Sequence, residues 1–208
     1  MKIPTPEGYN DHDYQKLVTF LNQTNGKGER NGDKLSDNYD PTNPTTWGTY
    51  WNGQRFKWVE SNGELRIQKI YIECRGLCGT LDLSECTALI WLLCSYNNLT
   101  ALDVNGCTAL EDLYCYANNL TKLNVSGCAA LEELYCHNNK LTKLNVSGCA
   151  ALWRLWCGFN KLTKLNVSGC ISLKYLSCYS NKLGRLNLNS CPQADCFCDD
   201  KVKIKIRR

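Results

Sequence analysis

Fifteen cysteines and two histidines are the side chains of this 208-residue sequence best suited to metal binding, redox or nucleophilic chemistry. Eleven of the cysteines keep time in two series, at 86, 107, 128, 149, 170 and 191 and at 94, 115, 136, 157 and 178, each stepping by 21 residues. Cysteines recurring with a structural unit stack along a line, whereas structural zinc needs four ligands in a tetrahedron. The odd total and the regular step also differ from a disulfide framework. These eleven therefore read as small, buried apolar side chains. Cys74, Cys78, Cys196 and Cys198 fall outside the pattern, and a local disulfide or metal clip among them stays open. A nucleophilic cysteine needs a histidine within hydrogen-bond reach. His137 adjoins Cys136, but successive residues of a strand point to opposite faces, so the two cannot cooperate. No phosphate-binding glycine loop occurs, and the N-V-S matches at Asn124, Asn145 and Asn166 are by-products of a repeat. The chain reads as non-enzymatic, with no cofactor or metal expected.

The element that positions these cysteines is a 21-residue unit, L-x-x-L-x-C-x-x-N-x-L-x-x-L-x-V-x-x-C-x-x, as in Leu131 to Ala151. Leu134 and Cys136 alternate with Tyr135 and His137, so 133–137 reads as a short strand with one buried face. One coil cannot bury its apolar face alone, and stacking coils joins those faces into a continuous core. Asn97, Asn118, Asn139, Asn160 and Asn181 recur in register, where a side-chain amide can satisfy backbone groups of its own and the neighbouring coil. A second extended stretch, Leu144 to Val146 and its equivalents, is expected on the opposite wall, where the short unit leaves little room for a helix.

This unit resembles the leucine-rich-repeat family, specifically its short bacterial class, in which cysteine often replaces the third leucine. The resemblance covers 79–191 with about five complete units. It implies an α/β, right-handed leucine-rich-repeat solenoid of mostly short parallel strands, with an extended or short-helical opposite wall. It also implies a protein or peptide partner, and an extracytoplasmic or cell-surface location if an export signal was removed. Residues 1–78 form an N-terminal cap in this reading. Tyr14, Leu17, Val18 and Leu21 share one face of a helix begun at Asp11 and Asp13 and ended by Asn25-Gly26. A loop to Pro44 and a hairpin turning at 61–63 follow. The helix, the W-N-G of Trp51 to Gly53 and the G-L-C-G-T-L of Gly76 to Leu81 are similar to the cap of plant-type leucine-rich repeats, without its usual cysteine pair.

Residues 192–208 are expected to close the core as a final strand burying Val202, Ile204 and Ile206. The last eight residues carry +5 of the net +4 charge, so the remainder is nearly neutral. Their lysines discourage edge-to-edge association, and the absence of a broad basic face argues against nucleic acid. No apolar stretch approaches the ~20 residues of a membrane span. The first thirty residues lack the apolar run of a signal peptide.

With the inward positions set, the outward ones follow by arithmetic. Five rungs present Trp91-Leu93-Ser95, Asp112-Tyr114-Tyr116, Glu133-Tyr135-His137, Arg154-Trp156-Gly158 and Tyr175-Ser177-Tyr179. The candidate ligand-binding residues are Trp91, Asp112, Tyr114, Tyr116, Glu133, Tyr135, His137, Arg154, Trp156, Tyr175 and Tyr179. Rings with polar tips have the composition of binding hot spots, and rings stacked across strands also stabilise a sheet. A protein or peptide partner, a carbohydrate stacked on the rings, and a purely structural or adhesive spacer remain open at this point. The opposite wall carries Lys122, Lys143, Lys164 and Arg185 in register, a ladder that reads as solvated lysines copied with the repeat or as a seat for an anion.

Overall fold

The computed structural model describes residues 2–50 and 53–206. Trp51 and Asn52 of the W-N-G motif, and Arg207 and Arg208 of the basic tail, lie outside the described residues. Seven inner strands, Glu64–Tyr71, Trp91–Leu93, Asp112–Tyr114, Glu133–Tyr135, Arg154–Trp156, Tyr175–Ser177 and Asp195–Phe197, stack in parallel. The antiparallel hairpin strand Phe56–Ser61 adds an eighth at the N-terminal edge. The register puts Leu92, Leu113, Leu134, Leu155 and Leu176 side by side, and all five are fully buried. Each such leucine gains roughly 1.5 to 3 kcal/mol from burial. The opposite wall is built of extended outer strands, among them Lys122–Asn124, Lys143–Asn145, Lys164–Asn166 and Arg185–Asn187, and carries no helix among the described residues.

All fifteen cysteines are free thiols, including the four outside the repeat. The eleven repeat cysteines are buried, and burial pushes the thiols of Cys136 and Cys170 up to about 12. The outer series has a second role that periodicity does not show. The Cys128 thiol donates to the Val104 carbonyl of the preceding coil at 3.1 Å, and Cys107 and Cys170 donate equivalently to Leu83 and Val146.

The recurring asparagine is the strongest polar tie between coils. Asn139 Nδ2 donates to the carbonyls of Cys136 in its own coil and Cys115 in the preceding one, at 3.1 and 3.0 Å, and its Oδ1 accepts from Leu120 N–H at 2.9 Å. The turn that aims it places the residue before each asparagine in the left-handed region, at Tyr96, Ala117, Asn138, Phe159 and Ser180, with φ between 52° and 54°. A side chain with a Cβ is disfavoured there. Ala117→Gly is therefore expected to raise stability by about 0.5–1 kcal/mol in chemical denaturation, net of the extra unfolded-state entropy. A loss of stability would show that the Ala117 methyl contributes packing instead.

The cap begins with α1, Asp11–Leu21, capped by the Asn10 side chain accepting from Asp13 N–H at 3.2 Å. Tyr14, Leu17, Val18 and Leu21 are buried together as the spacing predicts, joined by Phe20 and by Trp47, whose ring centroid lies 5.4 Å from those of Tyr14 and Phe56. The helix ends at Asn22 and not at Asn25-Gly26, because the chain there turns back, pairing Thr24 with Arg30. A short second helix, α2, Asn31–Leu35, interrupts the expected loop. Its buried Asn31 accepts from Cys78 N–H at 3.0 Å and donates to the Cys78 carbonyl at 2.9 Å, fastening the cap to the first coil. At 61–63 the hairpin turns as expected, with Asn62 and Gly63 both at positive φ.

At the other end, Lys203–Lys205 pairs in parallel with Arg185–Asn187. Only Val202 enters the core, while Ile204 and Ile206 remain 44% exposed. The expected burial of all three fails because the strand joins the outer wall, where no further coil covers its second face.

Candidate functional site

All eleven candidate residues lie on the solvent-facing side of the inner sheet, on five adjacent strands or within two residues of their ends. Parallel registry sets the rings side by side along the solenoid. Tyr114 stacks on Tyr135 at 4.8 Å between centroids, Trp91 lies 6.0 Å from Tyr114, and Tyr135 meets Trp156 at 5.0 Å in a tilted contact. A second row stacks Tyr116 on His137 at 4.6 Å. In this first half the ring faces cover one another and are half-buried. Trp156, Tyr175 and Tyr179, by contrast, are 41–43% exposed.

Two positions assigned outward are in fact buried. Ser95 is shielded between neighbouring rungs, and Gly158 is roofed by Tyr179, whose ring would stand 3.3 Å from an added Cβ. The small Ser177 lies in register between Trp156 and Phe197, where the three preceding coils carry the rings of Tyr114, Tyr135 and Trp156. A cleft of about 740 Å³ opens there, between Trp156, Tyr175, Tyr179 and Phe197, with Arg154 and Cys196 also on its lining. The neighbouring Cys178 and Cys198 thiols hold the Cys196 thiol below its ordinary value against the effect of burial.

Phe197, Tyr96 and Phe159 are exposed aromatics that the periodic reading missed. Phe197 pairs with Ser177, 20 residues earlier, so the last coil is one residue short and drops out of a strict 21-residue count. Tyr96 and Phe159 sit in the left-handed turn before the asparagine, outside the strand alternation.

Charges run through the rings. Glu133 accepts from the Tyr114 hydroxyl at 3.1 Å and pairs with Arg154 at 3.4 Å, and Arg154 in turn donates to the Tyr135 hydroxyl at 2.9 Å. The Arg154 guanidinium lies 4.2 Å from the Trp153 ring, whose neighbour is Tyr175. Asp112 has no such cation among the described residues. Burial first, then Glu133, Glu111 and Glu132, push its carboxyl up to about 6. Because this folded-state value lies above the ~4 of an unfolded aspartate, ionising Asp112 weakens the fold as pH rises from about 4 through 6. Asp112→Asn is expected to match the parent at pH 4 and exceed it by up to about 1 kcal/mol at pH 8, solvent screening having been allowed for. Denaturation midpoints across that range would contradict this if the difference were flat. Burial holds the His137 imidazole below its ordinary value and hence neutral at pH 7.

The structure brings His12, Asp13 and Cys86 together, with one potential ligand atom of each within 4.8 Å of the others. They do not fit a metal or a catalytic thiol. Both Asp13 oxygens are taken by the Arg66 guanidinium at 2.8 and 3.0 Å, so an added cation would stand beside a fixed positive charge. His12 Nε2 is engaged by the Ser84 carbonyl at 2.8 Å, and burial and Asp13 hold the Cys86 thiol protonated.

No family model matches the sequence, and no curated protein does. Solved structures share the architecture. YopM from Yersinia enterocolitica WA-314 matches 67% of this chain at 24% identity with a TM-score of 0.50, and a pollen receptor kinase 3 matches 92% at 16% identity with a TM-score of 0.55. The fold is that of the leucine-rich repeats. The functional domain of InlJ from Listeria monocytogenes, which includes a cysteine ladder, is 27% identical over 59% of this chain, with a TM-score of 0.41. This leucine-rich-repeat solenoid spans 34% of that YopM chain and 37% of the InlJ domain, against 95% of the pollen receptor kinase chain. No helix among its described residues is long and apolar enough to cross a membrane.

Proposed function

We propose that this solenoid is a non-enzymatic recognition module that binds a protein or peptide across its aromatic inner face, centred on the C-terminal cleft. The observation that carries the reading is the contrast along one sheet. Rings from Trp91 to Tyr135 cover each other, whereas Trp156, Tyr175, Tyr179 and Phe197 surround an open cleft beside Arg154. Sheet stabilisation accounts for rings that stack. The cleft rings also touch aromatic neighbours on one side, but the faces they leave open to the cleft go beyond that role, and their composition is that of interface anchors.

Screening the protein against peptide and glycan arrays, followed by alanine scanning, tests this. The expected result is a peptide ligand whose affinity falls at least tenfold in Trp156→Ala, a hot-spot loss, and changes less than threefold in Tyr114→Ala. A glycan that loses affinity at every ring in turn would replace the protein partner with a carbohydrate. Unchanged binding in a Trp156→Ala, Tyr175→Ala double variant would remove the face from recognition altogether and leave the solenoid as a spacer.

A further inference from the structure

We infer that the outer wall of the solenoid is a second interaction surface, a seat for a linear anionic polysaccharide. Lys122, Lys143, Lys164, Arg185 and Lys203 occupy the same place on five consecutive coils, with Lys143 paired to Lys164 and Arg185 to Lys203 in strand register. Four intervals at the usual strand separation make a row of cations about 19 Å long. The outer halves of the first four of these coils, 118–128, 139–149, 160–170 and 181–191, contain no Asp or Glu, and in the fifth Asp199 and Asp200 precede Lys203. None of the five cations has an ion-pair partner among the described residues. Within those four coils the carboxylates sit instead on and beside the inner strands, at Glu111, Asp112, Glu132 and Glu133, while outer-wall carboxylates such as Asp103, in register with Asn124, stand only towards the ends of the row.

The chemistry between the cations narrows the occupant. An open groove of about 830 Å³ runs along Lys143, Lys164, Arg185 and Lys203 and is interleaved with Asn145, Asn166 and Asn187. Each of these amides spends its Oδ1 on a backbone N–H two residues on, at 3.0–3.2 Å, while its Nδ2 has no partner within the described structure. The groove lining thus offers donors, with neither a carboxylate nor a free amide oxygen on it. A polymer bearing carboxylates or sulfates at intervals and hydroxyl or ring oxygens between them is the complement. The same segments contain no aromatic residue, so a single-stranded nucleic acid would find charge but nothing to stack on. This surface lies opposite the aromatic face and its occupancy is independent of that reading.

Dextran sulfate is the probe, with neutral dextran and a single-stranded DNA of equal charge as comparisons. Affinity of the full chain would be read by anisotropy at rising salt. Binding to dextran sulfate alone is expected, weakening steadily as salt screens the charges. K143E/K164E/R185E is expected to lose at least tenfold, and K143Q/K164Q/R185Q at least threefold, each with an unchanged circular dichroism spectrum. K27E/K57E/K174E, an equal change in net charge at exposed sites elsewhere, is expected to stay within threefold of the parent. Equal losses in the two reversal variants would reduce the effect to overall charge and overturn the proposal. So would a failure to bind dextran sulfate, or tighter binding to the DNA, which would make nucleic acid the occupant.

Discussion

Asn139→Leu is expected to cost the solenoid about 2–4 kcal/mol, a large effect for a single substitution. Leucine keeps the branched outline of asparagine but is bulkier and makes none of its hydrogen bonds. The substitution strands the Leu120 N–H and leaves the Cys115 and Cys136 carbonyls with one donor each, the amides of Asn118 and Asn160. Each buried, unpaired backbone group costs about 1–3 kcal/mol, with part recovered by local relaxation. Asn139 lies in a middle coil, and solenoid stability is a sum of coil and nearest-neighbour terms, so the lesion weakens coupling between the two halves. Urea denaturation should show an earlier, broader transition. Asn139→Asp separates the contributions, because a carboxylate keeps the acceptor and loses both donors, and it should be destabilised comparably. Lys140→Leu, at the exposed neighbouring position, should change stability by less than 0.5 kcal/mol. A loss below 1 kcal/mol in Asn139→Leu would mean that water or repacking substitutes for the amide.

The second large effect is expected at the cap. Asp13 is completely buried, accepts from the Arg66 guanidinium through both oxygens, and also accepts from Ile67 N–H at 3.0 Å. Arg66→Ala leaves the buried Asp13 carboxylate without its counter-charge and should cost about 3–5 kcal/mol, whereas Asp13→Ala leaves the Ile67 N–H and the partly exposed Arg66 guanidinium without their acceptor and should cost about 2–4 kcal/mol. The double variant Asp13→Leu, Arg66→Met should recover most of that loss, since a well-packed apolar pair often equals a buried ion pair. The double-mutant cycle reads this coupling directly. Additive losses would show that the pair does not act as a unit, and that Asp13 matters mainly as a member of the helix. Limited proteolysis adds a spatial readout: the single variants should become susceptible first between Asn22 and Pro44, the segment the cap holds down.

How far the sequence could be read depends on whether a feature repeats. Equal spacing forces equal orientation, so Leu134, Cys136 and Asn139 share an interior with their counterparts one coil away. By the same arithmetic Tyr114, Tyr135 and Trp156 share the opposite face of the strand. The core, the parallel inner strands, the bridging asparagines and the common face of all eleven candidate residues were legible for that reason. The tie between Asp13 and Arg66 was not, because it joins residues 53 apart on a helix and a hairpin that occur once. Nor was the contact of His12 with Ser84, or the grip of Asn31 on Cys78, each set by how the cap lies on the first coil.

Periodicity also cannot say which members of a repeated row are used up by their neighbours. Tyr114 and Trp156 occupy equivalent positions, yet one is covered by a stacked ring and the other borders a cleft, because Ser177 is too small to cover it. The cleft exists only once Phe197, displaced by the shortened last coil, stands on its far side. The sequence by itself determined which side chains face inward and which outward, since a period carries direction. The tertiary structure alone decided which outward ones are left open, since exposure depends on the size of whatever lies across the gap.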